Sequence, residues 1–149
     1  MTFKRAHVTV EDRSSRLRKA FHRAAPAIGG DNLFTGEYSG RFSHLSITSS
    51  SQYDWQTFWS HVGDKPPGPL PRGATAIMIA ENSSGDPVKL EPSSVVRRGG
   101  NITVNWNRIH VEPVAPAVKS SYAVLLVPGG SFSETFADVR PKLKPAPKP

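Results

Sequence analysis

Arg13, Arg16, Lys19 and Arg23 recur at three- or four-residue intervals, with Arg18 among them. On a helix that spacing gathers cations on one face, where they can neutralise phosphates. Lys142, Lys144 and Lys148 alternate with prolines in the last nine residues and offer the same chemistry on a stiff tail. A third group is Arg97-Arg98-Gly99-Gly100, whose guanidinium groups and glycine amides suit an oxyanion. All three groups bind; none makes or breaks a bond.

Bond-making chemistry finds little to stand on. The chain has no cysteine, which excludes disulfides, thiolate metal sites and a cysteine nucleophile. Its five histidines form no H-E-x-x-H pattern, so a metal would need His44, His61 and His110 to converge from separate elements. Gly129-Gly130-Ser131 is no nucleophile elbow, and no Gly-rich loop ends in Lys-Ser/Thr. Glu81 and Glu91 stand beside expected strands and read as strand-end acids rather than a catalytic pair. The reading is therefore of a non-enzyme, with no catalytic residue, metal or cofactor assigned.

Charge placement says more than charge total. The 149 residues carry a formal +7, but residues 1–23 hold +5, residues 140–149 hold +4, and the stretch between them is −2. This pattern divides the chain into a basic arm with a helix (1–26), a β-rich body (27–139) and a disordered basic Pro-rich tail (140–149). A near-neutral body with cationic ends fits a polyanion such as RNA or single-stranded DNA. The aromatics are not interleaved with the basic residues and no RNP-type run occurs, so contact would be electrostatic and independent of sequence. Leu17 and Phe21 beside arginines also suit weak contact with an anionic membrane surface. No apolar run approaches the roughly 20 residues that span a bilayer. The lack of cysteine fits a reducing intracellular compartment or a virion.

The elements that would position these groups are mostly strands. Thr9 can cap a helix over residues 9–25, which Pro26 and Gly29-Gly30 end. Residues 29–40 read as a Gly-punctuated connector and 41–48 as a strand. Tyr53 to Val62 admits two periods: Tyr53, Trp55, Thr57, Trp59 and His61 would line one face of a strand, but Phe58 and Val62 fit only the helix that Trp55, Phe58, Trp59 and Val62 predict, with Ser51 as cap and Gly63 as stop. Residues 75–80 form a continuous apolar strand, buried on both sides. A turn at 82–87 would fold it back into a hairpin with 88–90. Arg97 to Asn101 is another turn. Ile102, Val104 and Trp106 alternate cleanly, then Ile109 and Val111 flip parity, which predicts a bulge near Asn107. Residues 122–127 are the clearest strand, and Phe132, Phe136 and Val139 precede the tail. Short strands without strand–helix repeats predict a mainly β fold, an antiparallel sandwich or jelly-roll-like barrel.

This layout resembles that of small viral coat or nucleocapsid proteins, which join a basic arm to a compact antiparallel β domain, and of plant-virus movement proteins built on a jelly roll. The resemblance implies a structural, nucleic-acid-binding protein that forms homo-oligomers. Trp55, Trp59 and Trp106 support a different reading, a β-sandwich module that presents them to carbohydrate or protein.

Overall fold

Residues 74–81 lack polar alternation because both faces of their strand are covered. The computed structural model describes residues 3–13, 31–38, 44–81, 88–110 and 120–140. In chain order the elements are β1 (Lys4–Ala6), β2 (Glu11–Asp12), β3 (Leu33–Tyr38), β4 (His44–Ser49), α1 (Gln52–Val62), β5 (Ala74–Glu81), β6 (Val88–Arg98), β7 (Asn101–His110), β8 (Ser120–Pro128) and β9 (Ser131–Val139). A five-stranded sheet has the order β1-β3-β8-β5-β4, and a four-stranded sheet the order β2-β6-β7-β9.

The fold is mainly β, as the sequence predicts, and is a sandwich rather than a closed barrel among the described residues. Three layers stack. Trp55, Phe58, Trp59 and Val62 of α1 pack on Phe34, Ala76, Met78, Tyr122 and Val124. On the other face, Ile77, Ile79 and Leu125 meet Leu90, Val95, Ile102, Val104 and Trp106 of the second sheet. The helix follows from its predicted signals: Ser51 accepts from the Asp54 amide at 3.4 Å, Asp54 sits in the first turn, and Gly63 closes the end at φ 79°.

Besides the expected connector at 29–40, which contains β3, four expectations differ from the structure. First, β5 makes no hairpin with residues 88–90. It lies between β4 and β8, while β6 belongs to the other sheet. A strand apolar on both faces needs neighbours on both edges, whereas β6 has a polar side and suits an outer layer. Second, the four-stranded sheet is mixed: β2 joins β6, and β9 joins β7, in parallel. Both neighbours of β8 are already taken, so the chain crosses sheets after Pro128 and comes down beside β7. The crossing is tight. A Cβ on Gly130 would sit 2.7 Å from the Gly100 carbonyl oxygen, a contact that only glycine allows. Third, the bulge lies on β6, between Pro92 and Ser94 and opposite Trp106 and Asn105, so β7 itself runs unbroken.

The fourth difference concerns the helix expected from Thr9. Its first residues are extended: Glu11 and Asp12 pair with Val96 and Arg97, while Lys4–Ala6 pairs with β3. The rest of that helix, residues 14–25, lies outside the described residues, as does the tail beyond Arg140. Val8 and Val10 pack on the inter-sheet core, so burial of alternate side chains holds this stretch open against helix propensity.

Asn32, only 2 % exposed, locks the N-terminal strands in place. Its amide accepts from the Val8 N–H at 2.6 Å and donates to the Val8 carbonyl at 2.9 Å and the Leu126 carbonyl at 3.3 Å. Asn32→Ala removes these bonds and leaves buried peptide groups unpaired, which costs about 3 kcal/mol. Urea unfolding should show that loss, and hydrogen exchange should show earlier opening of residues 4–12 than of β5.

Candidate nucleic-acid interface

The described members of the predicted phosphate-binding set come together at one end of the four-stranded sheet. The parallel pairing of β2 with β6 brings Arg13 to the end of β6, where its amide donates to the Arg97 carbonyl at 2.7 Å. Arg97 and Arg98 lead into the predicted turn, in which Gly99 takes φ 61° and Arg98 pairs with Asn101. The Arg97 Nε donates to the Gly99 carbonyl at 3.0 Å, which fixes the half-buried guanidinium against its own turn. Arg98 is exposed and holds no ion pair among the described residues.

Two carboxylates temper this cluster, Glu11 and Asp12, the second opposite Arg97 in register. Arg13 grips both oxygens of Glu11, at 2.9 and 3.2 Å. The hydrogen bonds and charge of Arg13, with a smaller contribution from Arg98, hold the Glu11 carboxyl below the usual carboxylate range. Both side chains of this pair are about half exposed, so a phosphate can displace the carboxylate at little cost.

Topology sets where the remaining basic residues can act. Arg16, Arg18, Lys19 and Arg23 follow Arg13 directly in sequence, so their segment departs from the Arg97–Arg98 end. It returns at Asp31–Asn32, which enters β3 at that same end, because Leu33 pairs with Leu125 near the close of β8. Strands on either side therefore tether this basic segment at both ends. Lys142, Lys144 and Lys148 follow β9, which runs parallel to β7 and finishes beside Ile109. That is the opposite end of the sheet. β9 has nine residues, so the two exits stand roughly 26 Å apart at about 3.3 Å per residue. None of Arg16, Arg18, Lys19, Arg23, Lys142, Lys144 and Lys148 lies within the described residues.

A residue that sequence reasoning missed extends the first end. Arg72 is exposed and lines an open cleft of about 660 Å³ with Ser50, Gln52, Gly73, Thr75 and Gly129. Gly129 belongs to the link whose next residue touches the Gly99–Gly100 turn, so Arg72 and Arg98 flank that link from the two sheets. In sequence Arg72 is one cation in a Pro/Gly loop; only the sheet order reveals its company.

At the other end, the inter-sheet mouth holds paired charges. Arg108 Nε lies 2.9 Å from both oxygens of Glu81, and its guanidinium stacks 4.4 Å over Phe136. His110 Nε2 lies 2.8 Å from Asp138. Glu81 thus joins the two sheets, and Glu91 pairs with Lys89 on the surface. Of the three histidines weighed as a metal set, His61 and His110 lie in different layers of the fold. His61 is on the exposed side of α1 and His110 is in the far sheet. No metal-holding group of His, Asp and Glu occurs among the described residues.

The tryptophans are core. Trp55, Trp59 and Trp106 are 1 %, 0 % and 1 % exposed. Trp55 Nε1 donates to the Gly68 carbonyl at 2.9 Å and Trp106 Nε1 to Glu134 at 3.1 Å. The three present no platform to a sugar or a base. Among the described residues no helix is long and apolar enough to cross a membrane. Compared with family models, with curated proteins and with solved structures, the chain matches none.

The ion pair at the root of the tail has a pH signature. The hydrogen bond from His110 holds the Asp138 carboxyl below its ordinary value of 3.8, against some desolvation, and the charges of Arg108, His110 and Arg140 add to it. A depressed carboxyl stabilises the fold above its unfolded value, and the gain disappears as pH falls through the folded value. The melting-temperature advantage of wild type over Asp138→Asn should be present above the ordinary carboxyl value of 3.8 and be lost as pH falls below it. Calorimetry on both sides of that value checks it.

Proposed function

We propose that the protein is a structural nucleic-acid-binding protein that contacts the phosphates of RNA or single-stranded DNA through basic segments carried on a rigid β-sandwich. The observation that carries this reading is the convergence of Arg13, Arg97 and Arg98 at the point in the fold that the Arg16–Arg23 segment follows in sequence. Two stretches far apart in sequence, at Arg13 and at Arg97-Arg98, meet there, beside the most cationic stretch of the chain. An exposed surface under no constraint would not concentrate them so.

The roles divide by position. Arg98 and Arg72 are exposed cations at this end, and Arg13 becomes available when Glu11 yields. Arg16, Arg18, Lys19 and Arg23 would extend the contact from one end, and Lys142, Lys144 and Lys148 from the other. The outer face between the ends is polar: Ser94, Thr103, Asn105, Ser133 and Thr135 bond one another there, and Lys89 and Glu91 neutralise each other. It neither repels a polyanion nor stacks its bases, which supports recognition of the backbone alone. The same organisation supports a coat-, nucleocapsid- or movement-type role, self-associating in a virion or within a cell. The parallel pairings and the helix layer would then be departures from a jelly roll. The carbohydrate-module reading has no support left, because its tryptophans are buried.

The experiment is a salt titration of single-stranded RNA binding by the full chain. The logarithm of affinity should fall linearly with that of salt, by about 0.7 per phosphate neutralised. Arg97→Gln with Arg98→Gln should reduce the slope by about 1 to 1.5 and weaken all sequences alike. Binding that is absent, or indifferent to salt, would refute the proposal. Substitution in place is the right design, because deleting residues 1–26 would also remove β1 and β2.

A further inference from the structure

Four strands end the two sheets, and they are not equivalent. β1 has three residues and β2 two, too short to template a partner. β4 has six residues, and its Ser46 hydroxyl donates to Glu134 of β9 at 3.2 Å. β9 is nine residues long, unbroken in register against β7, and contains no lysine, proline or bulge. Lysine, proline and bulges are among the devices that blunt a sheet edge; inward-pointing charge is another, and the two acids of β9 that point inward are engaged within the fold, Glu134 by Trp106 and Ser46 and Asp138 by His110. Among the described residues no strand pairs with its outer side.

The phase of that edge is fixed. The Ser131 N–H donates to the Gly100 carbonyl at 2.8 Å. The peptide groups of residues 131, 133, 135 and 137 therefore point toward β7, and those of 132, 134, 136 and 138 point outward. We infer that β9 pairs with β9 of a second copy, antiparallel about a two-fold axis at Thr135, to make one continuous eight-stranded sheet.

Charge selects this register. An axis at Glu134 sets that carboxylate against itself, and an axis at Phe136 sets Glu134 against Asp138; both are like-charge pairs directly opposite one another. An axis at Thr135 sets Phe132 against Asp138 and Glu134 against Phe136, with Thr135 beside its own copy. It is also the register that overlaps all nine residues. On the outer face Ser133 then meets Ala137, so the side chains there are small and uncharged.

The pairing has a consequence for the basic segments. A single copy holds them at opposite ends of the sheet. In the pair, Val139 of one copy lies opposite Ser131 of the other, so the Lys142–Lys148 segment of each starts beside the Arg97–Arg98 turn of its neighbour. This consequence rests on the polyanion reading; the pairing does not.

The absence of native cysteine makes the test direct. Residue 135 faces its copy in a non-hydrogen-bonded pair, with Cα atoms about 4.5 Å apart, within disulfide reach. Thr135→Cys should convert to a covalent dimer under mild oxidation. Ser133→Cys should not, because its copy lies four residues along the strand, about 13 Å away. A mixture of Ser133→Cys and Ala137→Cys should give the hetero-linked dimer, and it serves if Thr135→Cys does not fold. Thr135→Lys should weaken the dimer several-fold by analytical ultracentrifugation. A folded Thr135→Cys that stays monomeric, or cross-linking at 133 alone as strong as at 135, overturns the inference. RNA binding is titrated separately on wild type, so its failure is distinguishable from failure to pair.

Discussion

The two central strands have no polar face, and the architecture follows from that constraint. Every residue of β5 is buried, and Ala123, Val124, Leu125 and Val127 of β8 are sealed from water. Each leaves apolar surface on both sides of one sheet, worth about 1.5–3 kcal/mol per large side chain removed from water. One covering layer cannot satisfy them. The chain supplies α1 on one side, with an aromatic cluster around Trp59 and Tyr122 at ring separations of 5.6 Å, and a second sheet on the other. Since β5 and β8 are adjacent and flanked by β3 and β4, the strands that follow each of them must cross between layers.

Those crossings decide where the charges sit. Connections between layers run over the two ends of the sandwich, because exposed backbone needs water. Cations carried on or beside such connections therefore gather at ends, away from the buried faces. The Asn32 bridge adds to this by holding the β1–β2 strand passage down on both sheets. What reads in sequence as a terminal arm is thereby a segment whose preceding residues are built into the fold.

Much of the body was legible because it obeys simple periods. α1 has its i, i+3, i+4, i+7 stripe and both caps; β5 and β8 are apolar runs of strand length; the first half of β7 alternates. The strands that escaped do so for physical reasons. β3 hides in an apparent connector because of Gly36, where a Cβ would come within 2.6 Å of the Tyr122 ring. The glycine marks close packing rather than a turn. β6 is masked beyond Leu90 by Pro92 and two serines at its bulge. β9 has the alternation of Phe132, Glu134 and Phe136, but its central inward position is acidic and reads as surface. That carboxylate is held by the Trp106 indole and the Ser46 hydroxyl, partners no local pattern reveals. The site was half legible: Arg97-Arg98 and the spaced arginines announce cations, yet their convergence depends on a two-residue parallel strand.

Screening sets how such a distribution can work. At physiological salt, charges separated by more than about 8 Å of solvent act almost independently. The two basic exits of one copy, roughly 26 Å apart along the sheet, are several screening lengths from one another. A short polyanion touching one end of a single copy gains little from the other end. Antiparallel association of two copies changes that arithmetic without moving any strand. The proposed pairing would set the tail exit of one copy beside the arginine turn of its neighbour and make two composite sites out of two separate ones. Local density of cations, rather than net charge, would then govern affinity for a polyanion, and it would be set by the register of the β9 edge, in which each acid faces a phenylalanine.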